Sequence, residues 1–296
     1  MECTAGKDNG LKKRFEGCSQ AVFLIVITAL LLNTTAVFAG GGGTIDGRTL
    51  VWKGQINPRV HYEETSYSQG TIMATLDGEA IYLRSYGWSP GWLVIERTGV
   101  QCSFPVYDGD GFTAYDADGR LTHWNTKGTP TPMAQLTFKN PVRPEVRPDG
   151  LLNFGGDDQI VIQTPSPTNP NGVQTINLGK KKLLSFTSTP EGIYFVAKDN
   201  GKKPELFLAQ LRNRGYRVTE TGMQAEQAVY GAQRLYLVDK WGLTSWQMLN
   251  GKLVRDAIIS ATASPYVLCG GDDQYTYYLD GYSGVSVVGV PPDGKG

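Results

Sequence analysis

The sequence predicts an all-β fold, a six-bladed β-propeller closed by an N-terminal strand, on three observations. First, a turn followed by a strand recurs, the strands beginning just after Glu79, Gly111, Gly150, Gly192, Gln233 and Gln274. These positions lie about 40 residues apart, the period of a propeller blade. Second, each interval holds several short runs of alternating aromatic, branched and polar residues, the pattern of a pleated surface. Third, the last interval has three such runs and then meets Pro291-Pro292, while Thr44–Trp52 stands spare before the first interval. Pairing Thr44–Trp52 with Val285–Val290 would close a ring and remove an exposed edge. An irregular β-sandwich is the alternative, with turn signals about every 8–12 residues and no long period.

The repeat is clearest at Glu191–Leu211. Ile193, Phe195 and Ala197 alternate with Tyr194, Val196 and Lys198, and Leu206 and Leu208 alternate with Phe207 and Ala209. Asp199-Asn200-Gly201 separates the runs with residues that tolerate positive φ.

In chain order, residues 1–39 read as a secretory signal peptide. Lys12-Lys13-Arg14 is basic, Ala21–Leu32 is apolar apart from Thr28, and Val37-Phe38-Ala39 places small residues where a signal peptidase cuts. An uncleaved anchor is the alternative, although a span needs about 20 apolar residues and Asn33-Thr34-Thr35 interrupts this run. Gly40–Gly43 is a spacer, and residues 44–296 form the propeller domain. Gln55–Gly70, mostly polar, reads as a long connection, with His61 a solvated loop residue. Blade one takes Thr71–Thr75, Ala80–Arg84 and Trp92–Glu96. Blade two takes Ser103–Tyr107, Phe112–Tyr115, Arg120–Trp124 and Met133–Phe138. Blade three takes Val142–Val146, Leu151–Phe154, Gln159–Gln163 and Val173–Leu178. Blade four takes Leu183–Thr187, Ile193–Ala197, Glu205–Gln210 and Tyr216–Thr219. Blade five takes Gln227–Tyr230, Arg234–Val238, Leu243–Met248 and Leu253–Asp256, and blade six Tyr266–Leu268, Tyr275–Leu279 and Val285–Val290. The register of blade three is open, because Gly155-Gly156-Asp157-Asp158-Gln159 recurs as Gly270-Gly271-Asp272-Asp273-Gln274 at a different place in its blade.

Pro144-Glu145-Val146-Arg147-Pro148-Asp149-Gly150, followed by two strand runs, resembles the Pro-Asp-Gly hairpin of the TolB-type, WD-repeat-like propellers. Thr189-Pro190-Glu191-Gly192 is similar, with Glu in place of Asp. The resemblance covers two blades well and the rest loosely. It implies a fold and no activity, since that superfamily includes binding scaffolds, accessory domains and enzymes.

A formal net charge of zero gives no electrostatic reason to expect nucleic acid; Lys180–Lys182 and Lys202-Lys203 are short enough to be solvated turns. Cys102 and Cys269 remain after leader removal. Export permits a disulfide, but their placement two blades apart around the ring favours two buried free thiols over the 4.4–6.8 Å Cα spacing of a disulfide. Two histidines, His61 and His123, and no paired cysteines make no zinc cluster.

Turns between second and third strands share one end of a propeller. Here they carry Trp88, Asp116, Asp118, Asp157, Asp158, Asp199, Asp239, Trp241, Asp280 and Tyr282. Acids edged with aromatics suit a hard cation or stacked sugar rings, and Asp and Gly are also what tight turns demand. The ligand-binding candidates are Trp88, Asp116, Asp118, Asp199, Asp239, Trp241 and Tyr282. Asp108, Asp110, Asp116 and Asp118 are the candidate metal ligands, with calcium the candidate cation, although neither acidic pair meets the twelve-residue calcium loop. No other cofactor is identified, and no catalytic residue is assigned. His123, beside Trp124 on a strand, is either structural or a general base.

The leading expectation is an exported binding or assembly module for a protein or glycan partner. The alternative is a carbohydrate-active propeller hydrolase or lyase, and the third reading, a membrane-anchored subunit, requires an uncleaved leader. An enzyme needs at least two acids converging in a channel-mouth pocket; a binding module needs an exposed apolar or aromatic patch rimmed by polar groups.

Overall fold

The computed structural model describes residues 49–54, 63–84, 94–213, 215–249, 251–260, 266–271, 275–280 and 284–289. Thr44–Gly296 is one compact unit. The leader, the spacer, His61, Trp88 and Tyr282 lie outside the described residues. The described residues contain strands and no helix, and the fold is a β-propeller.

Five antiparallel sheets are each built from four consecutive strands. The first comprises β2 (Glu63–Ser68), β3 (Thr71–Leu76), β4 (Glu79–Arg84) and β5 (Val94–Gln101), and follows β1 (Thr49–Gly54) in the chain. Next come β6 (Ser103–Tyr107), β7 (Gly111–Tyr115), β8 (Arg120–Asn125) and β9 (Pro130–Thr137), then β10 (Pro141–Val146), β11 (Leu152–Gly156), β12 (Gln159–Gln163) and β13 (Val173–Asn177). The fourth holds β14 (Lys182–Thr189), β15 (Gly192–Lys198), β16 (Glu205–Arg212) and β17 (Gly215–Gln224). The fifth holds β18 (Gln227–Gly231), β19 (Arg234–Asp239), β20 (Gly242–Leu249) and β21 (Lys252–Ser260). A composite sheet joins β22 (Tyr266–Gly271), β23 (Tyr275–Asp280) and β24 (Gly284–Gly289) to β1, in the order β1-β24-β23-β22. In it Thr49 faces Gly289 and Gly54 faces Val285, with a bulge between Leu50 and Trp52.

The first strands of successive sheets touch in the order β2, β6, β10, β14, β18 and β22, and β22 touches β2. They line a central channel. Hydrophobic clusters fill the spaces between neighbouring sheets, which explains why both alternating sets of the Glu191–Leu211 hairpin are apolar. Ile193, Phe195, Ala197, Phe207 and Ala209 pack against the β10–β13 sheet. Tyr194, Val196 and Leu206 pack the opposite way, against the β18–β21 sheet. Phe195 and Phe207 stack with centroids 5.2 Å apart. A blade sandwiched between two others has no solvent face, so its middle strands are buried on both sides.

The channel-lining strands cannot exchange ladder hydrogen bonds with the next sheet, so side chains bridge the gap. Phe104 N donates to Glu64 Oε2 at 2.8 Å, and Ser66 Oγ donates to Pro105 O at 2.5 Å. Ser188 N donates to Glu145, Tyr230 N to Thr187 Oγ1 (2.9 Å), and Leu268 N to Gln227 Oε1 (2.9 Å). Further out, the Tyr115 hydroxyl donates to Gly155 O (3.0 Å) and accepts from Gly155 N (3.1 Å). Buried backbone groups must find such partners.

These bridges account for the main departure from the sequence expectation. Gln55–Gly70 is not wholly a connection: Glu63–Ser68 is β2, the first strand of its sheet. Its sequence is polar, but Thr65, Ser66 and Tyr67 are buried; Glu64 and Ser66 bond the next sheet instead of water, while Thr65 Oγ1 is buried without a hydrogen-bond partner. The outer strand expected at Trp92–Glu96 is β5, Val94–Gln101. The register of the β10–β13 sheet is as first placed. Gly155–Gln159 joins its second and third strands, while Gly270–Gln274 falls between β22 and β23, so the five-residue recurrence does not mark equivalent turns.

Candidate functional site

In an up-and-down sheet, first–second and third–fourth turns lie at one end of the channel, and second–third turns lie at the other. Where the channel-lining strands finish, a cavity of about 510 Å³ opens among β2, β6, β10, β14, β18, β22 and the turns that follow them. A smaller one, of about 90 Å³, lies toward the starts of the same strands. Arg143 of β10 reaches both. Its Nη1 donates to Leu268 O across the channel. Burial lowers its pKa from the usual guanidinium value, against the opposing influence of Cys269 and Glu145.

Glu145, two residues on, is the one carboxylate lining the larger cavity among the described residues. Both its oxygens accept from Ser188 N (3.0 and 2.9 Å), and it also accepts from Ser188 Oγ (2.7 Å) and Thr187 Oγ1 (3.0 Å). Arg147 is ion-paired with Asp149 at 2.7 Å. The remaining wall is mixed, with Val146, Pro148, Pro190 and Val229 beside Ser68, Gln69 and Thr189.

At the same end, in the turn from β6 to β7, Asp108 Oδ2 lies 2.7 Å from His123 Nδ1 and also accepts from the Thr113 hydroxyl. Asp110 Oδ1 lies 3.6 Å from His123 Nε2. Asp108 Oδ1 is buried without a hydrogen-bond partner. The three residues can each bring one ligand atom within 4.8 Å of the others. Asp116 and Asp118 do not join them. They follow β7, whose five residues span about 13 Å, so the four expected metal ligands form two sites at opposite ends of a strand. His123, read from the sequence as structural or basic, occupies the place expected of Asp116 and Asp118. Its partnership depends on strand pairing, since β8 carries it back past β7, and no local spacing reveals it.

Asp116, Asp118, Asp199, Asp239 and Trp241 do lie at the opposite end, in second–third turns, as expected. Trp88 falls between β4 and β5 in sequence, the third–fourth connection, because β2 adds a strand to its sheet. The acids of these turns are engaged locally. Partial burial raises the Asp116 pKa, but the backbone N–H groups of Arg120 and Asp118 and the Arg120 charge outweigh it and hold the carboxyl below its usual range. Gly119 completes that turn at φ 74°, where a Cβ would meet Phe138 O at 2.1 Å. Asp118 pairs with Arg120 at 2.6 Å. Hydrogen bonding to Lys202 is the main cause of the lowered Asp199 pKa. Asp239 accepts from Trp241 N and Thr244 Oγ1, each at 2.7 Å. Trp241 is 49% exposed, with Lys240 Nζ 5.1 Å and Arg255 Cζ 5.3 Å from its ring. These residues stand on different sheets and build separate turns.

No family model matches the sequence, and no curated protein matches it. Solved structures do resemble the fold. A gluconolactonase, XC5397 from Xanthomonas campestris, aligns with a TM-score of 0.55 at 11% identity, covering 82% of this chain and 89% of that one. The PQQ-bound aldose sugar dehydrogenase of Streptomyces coelicolor aligns at 0.53 and 9% identity, covering 82% and 97%. YCF48 from Cyanidioschyzon merolae aligns at 0.51 and 10% identity, covering 79% and 84%. At such identity these likenesses establish the propeller fold and carry no activity across.

Proposed function

We propose that this protein is an exported binding or assembly module, a ring of six blades closed by its N-terminal strand, that engages a protein or glycan partner at the larger channel mouth. The pairing of β1 with β24 and the contact of β22 with β2 support the closed ring. The pattern of residues 1–39 supports export, and among the described residues no helix is long and apolar enough to cross a membrane.

One observation carries the binding reading. Among the described residues one acid lines the mouth, Glu145, whose oxygens are taken up by Ser188 and Thr187, beside apolar surface from Val146, Pro148, Pro190 and Val229. A hydrolase or lyase would need a second acid converging on the same space. A specific observation favours the enzymatic alternative: Asp108 holds His123 Nδ1 at the same end of the channel, the arrangement that orients a general base.

Photo-crosslinking tests the binding reading. A photoreactive residue replacing Pro148 or Pro190 at the mouth should give a discrete adduct in cells expressing the full chain, and one replacing Lys127 in the β8–β9 turn should not. Equal labelling from all three positions, or none, counts against it. If a glycan is the partner, a glycan array shows binding without release of new reducing ends. Turnover abolished by His123→Ala would establish the enzymatic alternative.

A further inference from the structure

Asp108, Asp110 and His123 form a group that does not depend on what occupies the channel mouth. Asp116, Asp118, Asp149, Asp199 and Asp256 each pair with a lysine or arginine. Asp108 and Asp110 pair only with His123 among the described residues. Two carboxylates beside one imidazole leave a net negative charge whether or not the ring is protonated. The Asp108 side chain is only 10% exposed, and its Oδ1 is buried without a hydrogen-bond partner. A carboxylate so enclosed is normally matched by a cation.

The hydrogen bonds show where that cation fits. An ionised carboxylate only accepts, so across the 2.7 Å contact His123 Nδ1 donates to Asp108 Oδ2, which also accepts from the Thr113 hydroxyl. In the neutral ring Nε2 is then an acceptor. It lies 3.6 Å from Asp110 Oδ1, a second acceptor. Two lone pairs at that separation call for a positive species between them. Ligand atoms about 2.0–2.2 Å from a tetrahedral metal ion stand about 3.3–3.6 Å apart, so the gap has the width that such an ion spans. A carboxylate on the other ring nitrogen is the usual support of a metal-bound histidine, fixing its tautomer and strengthening the donor nitrogen.

We propose that Asp108, Asp110 and His123 bind one divalent cation of the zinc class, with His123 Nε2 and Asp110 as ligands and Asp108 as the residue that positions the imidazole. Two positive charges balance the two carboxylates. All three residues offer ligand atoms within 4.8 Å of one another, so Asp108 is near enough to act on the ion directly. Imidazole nitrogen with carboxylate oxygen suits zinc and its neighbours, whereas calcium takes six to eight oxygens. Counting histidines and cysteines in the sequence missed this group because two of its three members are carboxylates. A cation on Nε2 occupies the lone pair that a general base would use, so this site and the enzymatic alternative exclude each other at His123.

Calorimetry on the untagged mature protein, stripped with EDTA, tests the proposal with zinc as the probe. One equivalent should bind, and a hundredfold excess over Kd should raise the melting point by about 5 °C. His123→Ala should abolish binding, while His61→Ala, at the other histidine of the chain, should leave it intact. Asp108→Asn should weaken it about 10–100-fold. Asp110→Asn should weaken it at least about tenfold, and because the Asp110 side chain is 85% exposed this variant stays informative even if Asp108→Asn does not fold. Cobalt in place of zinc should give a visible absorption band that His123→Ala removes. No binding at about 0.1 mM zinc, or binding unchanged in both Asp110→Asn and His123→Ala, overturns the proposal and leaves a proton shared between His123 and its two acids.

Discussion

Tyr115→Phe isolates one inter-blade bridge. The hydroxyl of this fully buried residue donates to Gly155 O at 3.0 Å and accepts from Gly155 N at 3.1 Å, fastening β7 to β11. Phenylalanine keeps the edge-on packing of the ring against Phe138 at 6.0 Å and removes only the oxygen. Two buried backbone groups then lose their partner, each at roughly 1–3 kcal/mol, with some relief from repacking, so the variant should lose about 2–4 kcal/mol. For a domain of this size that is a melting point lower by about 5–15 °C. Calorimetry at pH 8 measures it, with urea unfolding to confirm an unchanged slope. A second signature is electrostatic. Burial raises the Tyr115 pKa well above its ordinary value, against a smaller opposing effect from its bond to Gly155. A group raised in the folded state contributes stability that is complete below its unfolded pKa, about 10, and declines as pH rises toward the folded value. The gap between wild type and variant should therefore narrow above about pH 10. A melting point within about 2 °C of wild type at pH 8, or a gap that widens with alkali, would refute the assignment of this bridge.

Two further outcomes follow from side-chain environments. Cys102 and Cys269 are buried free thiols, and burial pushes Cys102 up to about 12. Both should resist iodoacetamide in the folded protein at pH 8 and react fully after denaturation; a disulfide in the mass of the mature protein would contradict this. Calcium should leave the melting point unchanged, because Asp108 and Asp110 are separated from Asp116 and Asp118 by the length of β7 and the third available ligand is an imidazole, which suits borderline metals better than hard cations. A calcium-dependent rise of about 5 °C or more would restore the acidic-turn site.

The contrast between β15 and β2 shows where sequence reading succeeds. In β15 every residue from Ile193 to Ala197 is buried, and aromatic and branched types announce a strand wherever they stand. In β2, Glu-Glu-Thr-Ser-Tyr-Ser reads as solvated connection, yet Thr65 to Ser68 are buried, and the Ser66 hydroxyl and Glu64 carboxylate serve backbone groups some forty residues away. Binary patterning records contact with water and is silent about hydrogen bonds to a neighbouring blade. The site behaves likewise. Asp116, Asp199 and Asp239 were legible as turn acids, because Asp and Gly requirements are local. Glu145 was visible only as part of a Pro-Asp-Gly hairpin, and Arg143 only as a residue of the Val142–Val146 strand.

The sequence by itself determined the all-β class, the period of about 40 residues, most strands and the turn chemistry, since each depends on residues close in the chain. Only the tertiary structure decided that β2 lines the channel, that His123 rather than Asp116 and Asp118 joins Asp108 and Asp110, and that Arg143 of β10 reaches Leu268 O across the channel. Those facts come from strands brought together by ring geometry, in which partners are a blade apart or more, and no local pattern encodes such distances.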